Sequence, residues 1–134
     1  MSRLPTLDGF LTAAARTHLR SAYVRFPGFK YLYVRCNQRF INGAVVGPVI
    51  DIANLTARKP GRGAFTKLFQ HLRKVYYHYW IYVECVLNPR FEKKLLSLGF
   101  IQQDSGLSPC FYMPPAKKDI NARRITRNRT PAVG

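Results

Sequence analysis

Acid is what this sequence has least of. Six Asp and Glu stand against 22 Lys and Arg in 134 residues, a formal net charge of +16. A surface so short of carboxylates attracts polyanions over long range. Nucleic acid, a phosphorylated cofactor and an acidic protein surface all satisfy that charge. So does simple solubility with a basic tail. Cysteine is also scarce. Cys36, Cys85 and Cys110 are odd in number and widely spaced, which argues against a disulfide framework and for a reducing compartment. His18, His71 and His78 are scattered, and no Cys or His pair has zinc spacing, so no metal site is expected. No apolar run reaches the length of a membrane span. Met1 to Phe10 lacks a basic stretch followed by an apolar one, so it does not read as a secretory signal. A cytoplasmic protein is the expectation.

What is present is core material. The length suits one domain. Hydrophobic residues make up 47%, with 17 Phe and Tyr beside Trp80, enough for a core without disulfides or metal.

The pattern along the chain predicts the elements. Phe10, Leu11, Ala14, Ala15 and Leu19 recur near helical spacing, predicting a helix over Asp8 to Arg20. Pro27-Gly28 breaks it. Alternation over Lys30 to Ile41 predicts a strand, and Asn42-Gly43 a hairpin turn. Ala44 to Leu55 follows as one or two strands with a bend at Gly47-Pro48. Phe65, Leu68, Phe69, Leu72 and Val75 make one stripe of a helix over Ala64 to Val75. Trp80 to Val86, aromatic and β-branched, reads as a strand. Asn88 as N-cap, Pro89 in the first turn and Gly99 as stop bound a helix over Asn88 to Leu98. Phe100 to Gln103 begins a strand, with Cys110 to Met113 as its antiparallel partner. No internal repeat is found. The order predicts an α/β fold with mixed strand pairing, in one domain over 1–115. Residues 116–134 carry Lys117, Lys118, Arg123, Arg124, Arg127 and Arg129 with little apolar content, and read as a disordered basic tail.

The chemistry centres on Arg58-Lys59-Pro60-Gly61-Arg62-Gly63-Ala64, which follows a strand and opens a helix. A helix start offers unpaired N–H groups and partial positive charge. Glycines let that backbone approach a phosphate. Together they form an anion cradle, to which Lys59 and Arg62 add full charges. The loop is not a P-loop, which needs GxxxxGK and then Ser or Thr. Nor is it the dinucleotide fingerprint, because Thr66 stands where the third glycine belongs.

Arg58, Gly61 and Gly63 match Arg/Gln-x-x-Gly-x-Gly/Ala, and in this the chain resembles the GNAT superfamily of N-acetyltransferases. The following helix, strand, Asn88, second helix and Leu98-Gly99-Phe100 occur in that family's order. The resemblance covers about Val49 to Met113 and implies a GNAT-like mixed central sheet, with two splayed central strands and flanking helices. It implies that acetyl-CoA or another acyl-CoA lies between Val49 to Leu55 and Trp80 to Val86. The pyrophosphate would sit on Arg58 to Ala64, and the arm would run along Ala53, Asn54 and Leu55 and past Asn88. The Ala53 N–H would meet the thioester carbonyl, an oxyanion device. Leu55 stands where the family often has Pro.

The implied reaction is direct attack of an amine on the thioester, helped by proximity and by a base where the amine starts as ammonium. The family's Tyr, four residues before the closing Gly, is Leu95 here. Tyr112, Cys110 and Tyr82 are the substitutes for that acid, each with core packing as the competing role. Asp51 and Glu84 are the base candidates, with salt bridges as theirs. Strand alternation puts Asp51 and Ala53 on one face.

The acceptor is an amine of a protein or small molecule, preferably acidic given the basic surface, in a monomer or dimer. Two alternatives stand beside acyl transfer. One is a catalytically weak module of this fold that binds nucleic acid or an acidic host protein. The other, suited to small size and high charge, is a virus-encoded effector acting in the host cytoplasm.

Overall fold

A computed structural model describes residues 3–84, 86–103 and 109–116. The elements are α1 (Leu7–Ala14), β1 (Ser21–Tyr23), β2 (Phe29–Ile41), β3 (Ala44–Ala57), α2 (Ala64–Val75), β4 (Trp80–Val83), α3 (Pro89–Ser97), β5 (Ile101–Gln103) and β6 (Cys110–Met113). The strands form one sheet in the order β1-β2-β3-β4-β6-β5. Only β3 and β4 run parallel, joined through α2; the other neighbours are antiparallel. This is the expected α/β architecture, a GNAT-like mixed sheet with flanking helices.

The β2–β3 hairpin is the longest feature of the sheet. Its two-residue turn has positive φ at both Asn42 and Gly43, the conformation that matches strand twist. The predicted bend is a bulge inside a single strand. Asn37 faces Val49 and Arg39 faces Val46, so Gly47 and Pro48 together oppose Gln38. Their peptide bond is cis.

One face of the sheet carries Leu32, Val34, Cys36, Ile50, Ile52, Ile81, Val83, Phe111 and Met113. These cluster with the buried side chains of all three helices: Leu7, Phe10, Leu11 and Ala14 of α1, Phe65, Leu68 and Leu72 of α2, and Leu95 of α3. Period-2 alternation on the strands meets period-3.6 stripes on the helices. Each fully buried leucine contributes about 1.5–3 kcal/mol. The other face has a separate, smaller cluster of Ile41, Val49, Tyr82, Cys110 and Tyr112, flanked by Val46 and Trp80.

Two predicted boundaries are corrected and one strand is added. Helix α1 ends at Ala14, not Arg20. The Arg20 guanidinium accounts for this: it donates to the Ala14, Thr17 and Cys36 carbonyls at 2.9, 2.6 and 3.2 Å. A long cation thus satisfies carbonyls that another helical turn would have used, and ties the helix end to β2. Strand β4 stops at Val83 rather than Val86. The three-residue strand β1, paired with β2 at Tyr23↔Tyr33, is too short to show a period. Beyond β6, the Arg73 guanidinium donates to the Pro114 carbonyl at 2.9 Å and the Ala116 N–H to the Tyr77 carbonyl at 2.8 Å. The rest of the basic tail, read as disordered, lies outside the described residues.

Candidate functional site

The loop between β3 and α2 owes its shape to two glycines. Gly61 has φ +81 and Gly63 φ +79, in the left-handed region that side chains disfavour. A Cβ built on either meets no atom within 4 Å. The glycines are therefore demanded by backbone conformation and not by protein packing, and the space beside them is open. Gly63 is also the N-cap of α2, and no side chain caps the helix there. The first N–H groups of α2 thus lack the hydroxyl or carboxylate partner that an N-cap usually supplies. Arg58, Lys59 and Arg62 of the same loop are exposed. The base of the loop is fixed by the Arg58 N–H, which donates to the Gly28 carbonyl at 2.9 Å. Gly28 lies so close to the start of α2 that its own Cβ would come within 2.9 Å of the Ala64 methyl. Donors, charge and room for an anion meet at one place, so the residues fit a pyrophosphate.

The strand leading into this loop is released from its neighbour. The parallel pair runs from Val49↔Trp80 to Ile52↔Val83, and its last bond is the Glu84 N–H to the Ile52 carbonyl at 3.1 Å. The Val86 N–H donates on the other side, to the Pro109 carbonyl at 2.9 Å. This is why β4 is shorter than its composition suggests. Strand β3 continues to Ala57 with β2 alone, so the two central strands splay. A bulge marks the point of departure. Tyr33 faces Asn54 and Val34 faces Ile52, leaving Ala53 without a partner. Bulges of this kind re-aim the backbone beside sites. The bulge also interrupts the alternation expected between Asp51 and Ala53. Asn54, opposite Tyr33, now shares the Asp51 face.

Asp51 and Glu84 are brought together by one arginine. Arg39 Nη1 donates to Asp51 Oδ2 at 2.7 Å and to Glu84 Oε2 at 3.2 Å, and Arg35 Nη1 reaches the same Glu84 oxygen at 3.1 Å. The Arg39 guanidinium also lies 4.0 Å from the centre of the Tyr82 ring. Asp51 is fully buried. Burial, followed by the neighbouring Glu84, pushes its carboxyl up to about 7 despite the opposing pull of Arg39 and Asn37. Glu84 keeps 17% of its side chain exposed. Of the two, only Glu84 can meet a ligand directly, and it stands where the strands part. Sequence reading missed Arg35 and Arg39. Their signal was parity along one strand, which puts both on the face of Asp51.

The remaining candidates divide. Asn88 caps α3, its Oδ1 accepting from the Arg90 and Phe91 N–H groups at 2.9 and 3.4 Å. Tyr112 is buried, and its hydroxyl accepts from Asn42 Nδ2 at 2.7 Å, which pins the hairpin turn across the sheet face to β6. Tyr82 and Cys110 are buried in the same small cluster. Burial, then Cys110, raises the Tyr82 phenol to about 12. Leu95, at the position of the missing tyrosine, is wholly buried under α3. Among the described residues no group of three His, Cys, Asp or Glu comes together to hold a metal. Nor is any helix among them long and apolar enough to cross a membrane.

No family model matches the chain, and no curated protein matches it. Among solved structures it is similar to a chain of the crystal structure of a KacTA–DNA complex. Identity is 20%, over 81% of this chain and 76% of that one, with a TM-score of 0.52. At that identity the likeness is of fold. The membership of the GNAT superfamily and the viral origin expected from the sequence are corrected accordingly: the comparisons yield a shared architecture and no kinship.

Proposed function

We propose that this chain binds an acyl-CoA at the β3–α2 loop and transfers its acyl group to an amine. The observation that carries this reading is the junction of two features. An uncapped helix start, with open space at Gly61 and Gly63, adjoins a strand edge released at Ile52. The first suits a pyrophosphate and the second an extended arm that pairs with main chain.

In this reading the N–H groups opening α2, with Arg58, Lys59 and Arg62, hold the phosphates. Lys59-Pro60 shapes the turn and Ala64 starts the helix. The main chain of Ala53, Asn54 and Leu55 holds the arm, and Asn88 borders it. When bound, the thioester supplies an activated acyl carbon and a thiolate leaving group. The Ala53 N–H donates to the carbonyl oxygen as charge builds there. Glu84 accepts the amine proton, directly or through water. Asp51 and Arg39 hold Glu84 in place from below. Tyr112 takes the place of the absent acid, its hydroxyl proton passing to the leaving thiolate while its oxygen still accepts from Asn42.

The test is a thermal shift of the full chain with acetyl-CoA, free CoA and duplex DNA at low and moderate salt. At a hundredfold excess over Kd, acetyl-CoA is expected to add about 2.7 kcal/mol of apparent stability. Arg62→Glu, which reverses a charge of the loop and leaves both glycines in place, is expected to weaken acetyl-CoA at least tenfold while far-UV circular dichroism stays unchanged. No shift with either CoA form overturns the reading.

A second reading, nucleic-acid binding without catalysis, is favoured by the charge. Among the described residues, Arg35 and Arg39 are the Lys or Arg side chains in salt bridges with Asp or Glu, so most of the basic surface has no carboxylate partner. The structural neighbour is itself part of a DNA complex. A salt-sensitive shift with DNA alone selects this second reading.

A further inference from the structure

A second concavity lies beside the proposed thioester position, on the sheet face that no described helix covers. It has a volume of about 380 Å³ and is lined by Leu4, Tyr23, Tyr31 and Asn54. Its apolar walls are open to solvent: Leu4 is 47% exposed, Tyr23 46% and Tyr31 52%. Three large side chains thus stand part-exposed around one concavity, and such patches mark binding sites.

The walls are held in place. Tyr23 packs against Tyr33 with the rings tilted by 50° and their centres 4.7 Å apart, and the Tyr33 hydroxyl donates to Ser21 Oγ at 2.9 Å. The segment carrying Leu4 is laced to Arg25. The Arg25 side chain donates to the Leu4 carbonyl at 2.6 Å, its N–H to the Pro5 carbonyl at 2.8 Å, and its carbonyl accepts the Leu7 N–H at 3.0 Å. The rim is therefore braced by the chain's own hydrogen bonds and ring contact, as preorganised sites are. Asn54, which lines the pocket, directly follows the bulge at Ala53, so the pocket and the proposed thioester position share one short stretch of β3.

The charges around the pocket restrict what enters. Lys30 Nζ lies 5.7 Å from the centre of the Tyr31 ring and the Arg35 guanidinium 5.6 Å from that of Tyr33. The protein's own cations already use these ring faces, so the pocket is not a cage for a quaternary ammonium. No carboxylate lines it. Polyamines and lysine-rich segments, with several positive charges, are repelled by Lys30, Arg35 and the net charge. A single amine is tolerated, because the same field lowers its pKa toward the neutral, nucleophilic form.

Resting on the acyl-transfer reading, we infer that this pocket is the acceptor site. Its substrate class is a primary monoamine bearing an aromatic or branched aliphatic group. The apolar group packs among Leu4, Tyr23 and Tyr31, and the Asn54 side chain orients the amine toward the thioester.

The test uses the full chain, with 2-phenylethylamine and spermidine as probes, titrated calorimetrically in the presence of CoA. Acetyl-CoA binding is measured separately. The wild type is expected to bind 2-phenylethylamine at least tenfold more tightly than spermidine. Tyr31→Ala and Tyr23→Ala each lose at least fivefold in that affinity, with acetyl-CoA affinity unchanged and both variants still melting cooperatively. With both substrates present, the kcat/KM for 2-phenylethylamine falls in the same two variants while the KM for acetyl-CoA holds. Equal affinity for both amines, or wild-type affinity in both variants, overturns the inference. Failure of acetyl-CoA to bind, with 2-phenylethylamine still bound through the tyrosines, overturns acyl transfer and leaves the pocket standing as a monoamine site.

Discussion

At the scale of single residues, Asp51 carries the clearest consequence for pH. Its carboxyl is raised in the fold by burial and by Glu84. Between the ordinary carboxylate value and about 7, the unfolded chain has lost this proton and the native chain keeps it. The native state therefore binds more protons, and the stability associated with Asp51 is full below pH 4 and declines as pH rises toward 7. The limiting slope for one proton is about 1.4 kcal/mol per pH unit. Asp51→Asn removes the titration, so thermal melts from pH 4 to 8 are expected to show the wild type losing stability relative to the variant across that window. Asp8 works the other way. Burial raises its carboxyl, but hydrogen bonds from His71 and Tyr76 outweigh that and hold it below its usual value. Its contribution disappears only in acid. Asp51 and Glu84 stood out in the sequence because acids are so few. That one arginine would join them was not legible there, because pairing depends on the strand register set by two bulges.

At the scale of elements, the sequence was most legible where local chemistry acts alone. Helix α2 spans the predicted Ala64 to Val75, because its stripe and the glycines before it agree. The hairpin turn falls on Asn42-Gly43, because two successive positive φ values suit few other dipeptides. Asn88 caps α3 as its residue type suggests. Replacing it by alanine leaves two N–H groups unpaired and is expected to cost about 0.5–2 kcal/mol, read from urea unfolding. Legibility failed where distant partners decide. The end of α1 depends on Arg20 folding back onto three carbonyls. The length of β4 depends on Pro109 competing with β3 for the chain after Glu84. The unpaired Ala53 leaves no trace in composition, yet it turns the strand that leads to the phosphate loop. The tyrosine pocket did leave a trace, in Tyr31 and Tyr33 alternating with buried Leu32 and Val34. Its other wall comes from Leu4, drawn in through Arg25, and that partnership is not written in any local pattern.

At the scale of the whole molecule, charge and fold act on different ranges. The fold places one loop and one released strand edge together, a short-range matter of backbone. The net charge of +16 acts over the Debye length, about 8–10 Å in ordinary buffers. Binding to duplex DNA of unrelated sequences is therefore expected to weaken steeply between 50 and 200 mM salt. A linear log–log slope, measured by fluorescence anisotropy, counts the phosphates engaged. Acetyl-CoA, held also by main-chain donors, is expected to show a much shallower slope. If the two slopes are equal, the loop is simply one more part of the basic surface.

The lacing of Leu4 to Arg25 has a practical side. The segment that carries Leu4 is held at the rim of the tyrosine pocket. A purification handle or fluorescent fusion joined there would stand over the opening like a doorstop. It could crowd out the very molecules an assay is meant to detect. Screening for acceptors is better done with nothing bulky attached beside Leu4.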